Sequence, residues 1–187
     1  MEAHETFRFY GNYDVSNLQR ILNENNFDWY EWDFRAKKFT NLYQTQTVPI
    51  LFDESWNFKY VQKHKYYSLF EEEIIKLENH LKNDVFKKDG FILNALLVRL
   101  LSKYSIKNHI DDGIHFHRSI FTRIHLPIFT NDDCIFTCGG EPKNFKVGEM
   151  WDPNYTMQYH EVNNMGDTDR INLIFDWVEK TPTEVRV

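Results

Sequence analysis

Cysteine is almost missing from this chain. The two present, Cys134 and Cys138, share one run of strand-forming residues, Cys134-Ile135-Phe136-Thr137-Cys138. Four residues of extended chain put their side-chain roots ~13 Å apart, beyond the reach of a disulfide, so reduced, packed thiols are expected. Nothing nearby in sequence would favour a thiolate, which leaves no case for redox chemistry. Long apolar runs are absent too, and with them any bilayer-spanning helix. The opening Met1-Glu2-Ala3-His4-Glu5-Thr6 is polar and acidic rather than a secretory leader, so a cytoplasmic location is the expectation. Dense lysine or arginine blocks are also lacking, and the formal net charge is -6, which argues against nucleic acid or an anionic membrane as partner. With no internal repeat, linker or low-complexity tract, residues 1–187 are read as a single domain.

What the chain has in quantity is apolar and aromatic side chains, 42% and 17% of its 187 residues, enough for one well-buried core. Two helices are predicted ahead of a strand-rich half. Ser16 with Gln19 makes a capping-box pattern around Leu18, Ile21 and Leu22, and Ser68 with Glu71 does the same for Phe70, Ile74, Leu77 and Leu81. Glu72, Glu73, Lys76, Glu78 and Lys82 then form the solvated side of the second helix. Between the helices, Tyr30, Trp32 and Phe34 alternate as on a strand, and 47–52 reads as another. Asp89-Gly90 signals a turn. The segment 91–101 is read as a buried strand, although its composition would also suit a helix. Beyond residue 105, short strands at 123–128, 134–138, 150–151, 157–162 and 170–178 are separated by turn residues. That is the pattern of a small all-β sandwich or barrel.

Chemistry concentrates in His109-Ile110-Asp111, His160 and Arg170. Residues two apart on a strand point the same way, so His109 and Asp111 can face one ion. Two histidines and one carboxylate leave the opposite face of a metal open, which suits a non-haem Fe(II) that must hold a co-substrate and O₂ together. A hairpin centred near Met165 would set Arg170 opposite His160, with side-chain roots ~5 Å apart. Arginine binds a carboxylate bidentately and stays charged, so Arg170 suits the far carboxylate of 2-oxoglutarate. Eight histidines make a lone His-x-Asp an ordinary coincidence; the set carries the reading.

In order and spacing, His109-Ile110-Asp111, Arg123-Ile124-His125-Leu126-Pro127-Ile128, Gly148-Glu149-Met150-Trp151, His160-Glu161-Val162-Asn163 and the run from Asp169-Arg170 to Asp176-Trp177 resemble the aspartyl/asparaginyl β-hydroxylase family of 2-oxoglutarate oxygenases, across residues 90–178. The resemblance implies a mainly β fold, with a double-stranded β-helix (jelly-roll or cupin-like) at 90–178 and the helices of 1–89 packed outside one sheet. It implies Fe(II) on His109, Asp111 and His160, 2-oxoglutarate on Arg170, and Arg123 and His125 helping to hold co-substrate or substrate carboxylates. Vertebrate members that give the family its name lack the metal-binding carboxylate; Asp111 makes this chain more similar to the family's bacterial free-proline hydroxylases. The activity implied is O₂-dependent hydroxylation of an amino-acid C–H, in a free amino acid or an Asp-, Asn- or Pro-type residue of a peptide or protein. Two readings compete with it. In a 2-oxoglutarate-independent cupin-type metalloenzyme Arg170 would have no task, and a non-catalytic binding protein on the same fold would not need an intact ligand set.

Plainer readings stand beside these. Asp112 faces away from Asp111 on an extended chain. His115 and His117 make a second same-face pair that could suggest zinc, but a loop or strand over the site mouth is the expected place for them. His125 could be a satisfied core histidine, Arg123 an ion-pair partner, Asn163 a turn residue and Trp151 core. Trp29, Tyr30, Trp32, Tyr66 and Tyr67 could form a homodimer surface or line the mouth, with core packing the default.

Overall fold

The computed structural model describes residues 5–30, 44–53, 61–111, 121–154 and 158–180. Ten antiparallel strands are found among them: β1 (Phe7–Asn12), β2 (Thr45–Leu51), β3 (Gly90–Leu100), β4 (Ser105–His109), β5 (Thr122–Phe129), β6 (Cys134–Cys138), β7 (Glu141–Lys143), β8 (Glu149–Pro153), β9 (His160–Asn164) and β10 (Arg170–Glu179). They form a large sheet of order β1-β8-β5-β10-β3-β2 and a small one of order β4-β9-β6-β7. From β3 onward the chain crosses from one sheet to the other at almost every connection. This crossing pattern is a double-stranded β-helix, as the family resemblance implied.

Side-chain alternation explains why the strands sit where they do. On β10, Leu173, Phe175 and Trp177 are buried in the main core with Ile124, Leu126 and Ile128 of β5. That core includes Leu18 and Ile21 from helix α1 (Ser16–Glu24) and Phe70, Ile74 and Leu77 from helix α2 (Tyr67–His80), so the helices cover the outer face of the large sheet. The other face of β10 carries Arg170, Asn172, Ile174 and Asp176, and that of β5 carries Arg123 and His125. This second face looks across to the small sheet, where Phe136 of β6 meets the His125 ring at 5.5 Å between centroids. With both faces covered, β3 reads as a nearly unbroken buried run from Ile92 to Val98, which is why periodicity alone could not separate strand from helix there. Both cysteines are buried, reduced thiols, as expected. No helix among the described residues is long and apolar enough to cross a membrane.

Several local expectations are corrected. Neither capping box forms. Asp14 accepts the Ser16 N–H at 2.9 Å, and the Gln19 side chain instead reaches the sheet, donating to the Ile128 carbonyl at 2.9 Å. Glu71 goes to Lys63 at 3.1 Å. Glu73, read as solvated, is buried on α2, where it accepts from Asn17 at 2.7 Å and from the Tyr13 hydroxyl. Strand β1 was not foreseen; its short FRFYGN run pairs with β8 at the edge of the large sheet. Asn163 lies within β9 rather than in a turn. The strand expected at 157–162 starts only at His160, and residues 155–157 lie outside the described residues. So do Trp32, Phe34, Asp112, His115 and His117. Of the aromatics offered for a mouth or dimer surface, Trp29, Tyr66 and Tyr67 pack against the main core, while Tyr30 is 76% exposed.

Gly148, at the entry to β8, shows how tightly the connections are tied. Its φ is +81°, its N–H donates to the Pro127 carbonyl at 2.9 Å, and its carbonyl accepts from the Tyr13 N–H at 2.8 Å. A Cβ here would lie 2.7 Å from the Tyr13 carbonyl oxygen. Gly148→Ala is therefore expected to cost ~1–3 kcal/mol, read as a lower urea midpoint at unchanged slope; an unmoved midpoint would show that the turn tolerates a side chain.

Candidate functional site

His109 ends β4, His160 begins β9, and the two are direct cross-strand partners. Their rings lie 4.0 Å apart between centroids. Asp111 follows β4 and brings Oδ1 to 3.4 Å from His109 Nε2. One donor atom from each of the three lies within 4.8 Å of the others. A divalent ion with ligands at ~2.1 Å would need only small side-chain rotations to gather them. Backbone carbonyls set the tautomers. His109 Nδ1 is 2.7 Å from the Lys107 oxygen, and His160 Nδ1 is 3.5 Å from that of Gln158. Each ring donates Nδ1–H outward and leaves an Nε2 lone pair for the shared space.

Electrostatics favour the ligand forms. Burial pushes His160 from its usual 6.5 down to about 4, with His109 adding to the shift and Asp111 opposing it. His160 is thus neutral at pH 7. For Asp111, burial opposes ionisation. Its contact with the His109 ring and the nearby Arg123 guanidinium outweigh burial and hold the carboxyl below its usual value. Two imidazoles and an ionised carboxylate are a donor set that fits Fe(II).

The other residues singled out in the sequence share the space between the sheets. Arg123 is clamped by Asp176, Nε to Oδ1 at 2.7 Å and Nη2 to Oδ2 at 2.9 Å, and Asn94 supports the same carboxylate at 2.8 Å. His125 lies 3.3 Å from the Asn172 amide nitrogen and against Phe136 and Phe145. Arg170 is 3% exposed. Its Nη2 has no hydrogen-bond partner among the described residues, and no carboxylate among them pairs with it. Burial presses its pKa down, with Cys134 opposing, but a guanidinium remains charged at neutral pH.

One expectation fails here. His160 and Arg170 do not face each other across a hairpin. β9 pairs with β4 and β6, so that His160 stands opposite His109 and Cys138. β10 pairs with β3 and β5, and Arg170 stands opposite Leu100. The polar segment after β9 carries the chain between sheets, because the outer residues of β10 can be buried only under the helices. Asp176, Asn94 and Asn172 were not predicted as site residues. Counting by twos from Arg170 along its strand would have found Asn172 and Asp176; Asn94 had no comparable signal.

A two-sheet barrel whose interior brings two histidines and a carboxylate together has the architecture of a metal-dependent enzyme, and that donor set is the one non-haem Fe(II) oxygenases use. A profile of the aspartyl/asparaginyl beta-hydroxylase family matches residues 76–180, and the chain belongs to that family. It is accordingly a 2-oxoglutarate-dependent hydroxylase that uses Fe(II) and O₂. No curated protein sequence matches it. Among solved structures, an oxidoreductase of the 2OG-Fe(II) oxygenase family from Burkholderia pseudomallei is similar at a TM-score of 0.53 and 15% identity, over 76% of this chain and 70% of that one. A Pseudomonas putida prolyl-4-hydroxylase gives 0.52 at 8% identity over 95% of each chain. The viral collagen prolyl hydroxylase of Paramecium bursaria Chlorella virus-1, in its 2OG complex, gives 0.51 at 9% identity, over 95% of this chain and 98% of that one. At these identities the likeness is one of fold.

The depressed His160 pKa has a consequence for the metal-free protein. The folded ring takes its proton only near pH 4, the unfolded one at its usual 6.5. The stability contributed by the neutral ring is complete above that upper value and is lost as pH falls to the lower one. The melting temperature of the metal-free protein should drop across this window, and His160→Asn should flatten that part of the profile. Identical profiles for the two proteins would contradict the assignment.

Proposed function

We propose that His109, Asp111 and His160 hold the Fe(II), that Arg170 holds the far carboxylate of 2-oxoglutarate, and that the substrate is an amino acid, either free or as an Asp-, Asn- or Pro-type residue of a peptide or protein. The observation that carries this is the Arg170 guanidinium: buried, charged, and with no anion among the described residues, on the face of β10 that looks into the same interior as the three metal-binding side chains. An unpaired buried cation costs several kcal/mol, and a carboxylate from a ligand would offset that cost. A cupin-type reaction without 2-oxoglutarate leaves the guanidinium unexplained.

When bound, Fe(II) and 2-oxoglutarate supply the O₂ activation and the oxidative decarboxylation, to succinate and CO₂, that drive hydroxylation. The chain's own part is binding and orientation. His109 and the neutral His160 offer Nε2 lone pairs, and Asp111 brings one negative charge. Arg170 fixes the co-substrate's far end by charge and by its planar fork. Arg123, its orientation set by Asp176, and His125 line the path between the two ends, where they would meet co-substrate or substrate carboxylates. Phe136, Phe145 and Trp151 wall the interior with stacked rings, which keeps water away from the reacting centre. No side chain is required as a general base on the substrate carbon.

Asp111 aligns the chain with the proline-hydroxylase branch, and two of its structural neighbours are prolyl hydroxylases. Free proline and prolyl peptides therefore head the substrate screen. A cytoplasmic enzyme working as one domain over 1–187, with neither nucleic acid nor membrane as partner, completes the reading.

The test is an anaerobic titration of the metal-free protein with Fe(II) and 2-oxoglutarate, following the weak visible metal-to-ligand charge-transfer band. Wild type is expected to develop the band, and Arg170→Ala to need about ten- to a hundredfold more 2-oxoglutarate, the worth of a hydrogen-bonded charge. No band in wild type, with Fe(II) binding confirmed separately, would sink this assignment.

A further inference from the structure

A second polar atom in the barrel interior lacks a hydrogen-bond partner among the described residues: Asn172 Oδ1, two positions along the inner face of β10 from Arg170. Asn172 is 0% exposed, and among the described residues its side chain has one hydrogen-bonding partner, Nδ2 to His125 Nδ1 at 3.3 Å. An amide left half satisfied in a mostly apolar space is costly, and native interiors seldom keep one without a reason. The two ends of an amide are nearly the same shape and are told apart by their partners. With His125 protonated at Nδ1, the ring donates to Oδ1, and the amide NH₂ turns to the space beside Arg170. What is then left over is a donor, and the partner it needs is an acceptor.

Side chains two apart on one strand face stand ~7 Å apart, close enough for a single carboxylate to lie between them. A bidentate guanidinium leaves the outer lone pairs of that carboxylate open. Resting on the co-substrate site proposed above, we infer that Asn172 is a second ligand of the far carboxylate, held in its donor orientation by His125. The Arg170–Asn172 pair then makes the chain selective for a 2-oxo diacid over a 2-oxo monoacid of the same length.

The experiment uses the full chain with Mn(II) in place of Fe(II) and measures the Kd of 2-oxoglutarate and of 2-oxopentanoate by calorimetry, the weaker ligand by competition. Variants are Asn172→Ala, which removes the donor, and Asn172→Asp, which keeps the shape and a partner for His125 but sets an acceptor against the carboxylate. Asn172→Ala is expected to weaken 2-oxoglutarate by about tenfold and Asn172→Asp by about a hundredfold, while the Kd values of 2-oxopentanoate and of Mn(II) alone stay within about twofold of wild type. If Asn172→Asp shows no cooperative melt, Asn172→Ala decides alone. Equal weakening of both ligands would make Asn172 a packing residue, and no weakening of either would remove it from the site; each overturns the inference while leaving Arg170 in place. A wild-type protein that binds Mn(II) but not 2-oxoglutarate would instead remove the co-substrate site itself, and this inference with it.

Discussion

A buried guanidinium without a counter-charge is a liability of several kcal/mol, and Arg170, which no carboxylate among the described residues pairs with, is held in place by the strand it begins. β10 lies between β5 and β3 in the large sheet, so its backbone is paired on both edges and its position is not free to relax. The outer side chains of the same strand explain how this is tolerated. Leu173, Phe175 and Trp177 are each at most 1% exposed, and burying side chains of this kind contributes ~1.5–3 kcal/mol apiece. One face of β10 thus secures the strand under the helices. The opposite face can then present Arg170, Asn172 and Asp176 to the interior.

The two interior arginines differ in a way that residue type alone would not reveal. Arg123 meets Asp176 through two parallel hydrogen bonds, and the Asp176 side chain is only 1% exposed and further held by Asn94. Removing either partner of such a pair strands the other charge, at a typical cost of ~3–5 kcal/mol, so Arg123 is tied to a fixed place beside Asp111. Arg170 has no such carboxylate among the described residues. The family resemblance gives both arginines a part in holding carboxylates; among the described residues Asp176 pairs with the first and no carboxylate pairs with the second. That contrast is physical and independent of the resemblance.

Much of this was legible in the sequence, and what was missed has a common cause. Strand periodicity located β2, β5, β6 and β10, and the apolar stripes located both helices, because each reports a face buried against a neighbour; β3, buried on both faces, has no such alternation to read. The spacing of His109 and Asp111 likewise reported a shared direction on extended chain. Capping was misread because Asp14, two residues ahead of Ser16, took its N–H first, which a motif anchored on serine does not anticipate. Glu73 was misplaced because a carboxylate on the polar side of an isolated helix becomes interior once Tyr13 and Asn17 arrive from a different segment. The hairpin error is of the same kind. A polar turn between two strands says that the chain reverses, but not whether the strands pair, and pairing depends on where each strand's apolar face can be buried.

That last point bears on the site itself. Because β9 and β10 belong to different sheets, the separation between His160 and Arg170 is governed by the packing of one sheet on the other, ~10 Å, and by how the crossing between them is held. The crossing is heavily tied. Asn164, wholly buried at the end of β9, donates to the carbonyls of Leu100, Leu101 and Thr168 and accepts from Asn131. Asp169, next to Arg170, accepts the Ser102 N–H and pairs with Arg99 at 2.8 Å. These bonds fasten the start of β10 to the end of β3, so that the guanidinium is carried by two strands rather than by a loop. On the proposed reading, a five-carbon diacid must bridge from the metal-binding cluster on the small sheet to a cation on the large one. A hairpin could slip in register and shorten that span, whereas two packed sheets joined by a hydrogen-bonded crossing resist the change, and co-substrate length becomes a property of the fold.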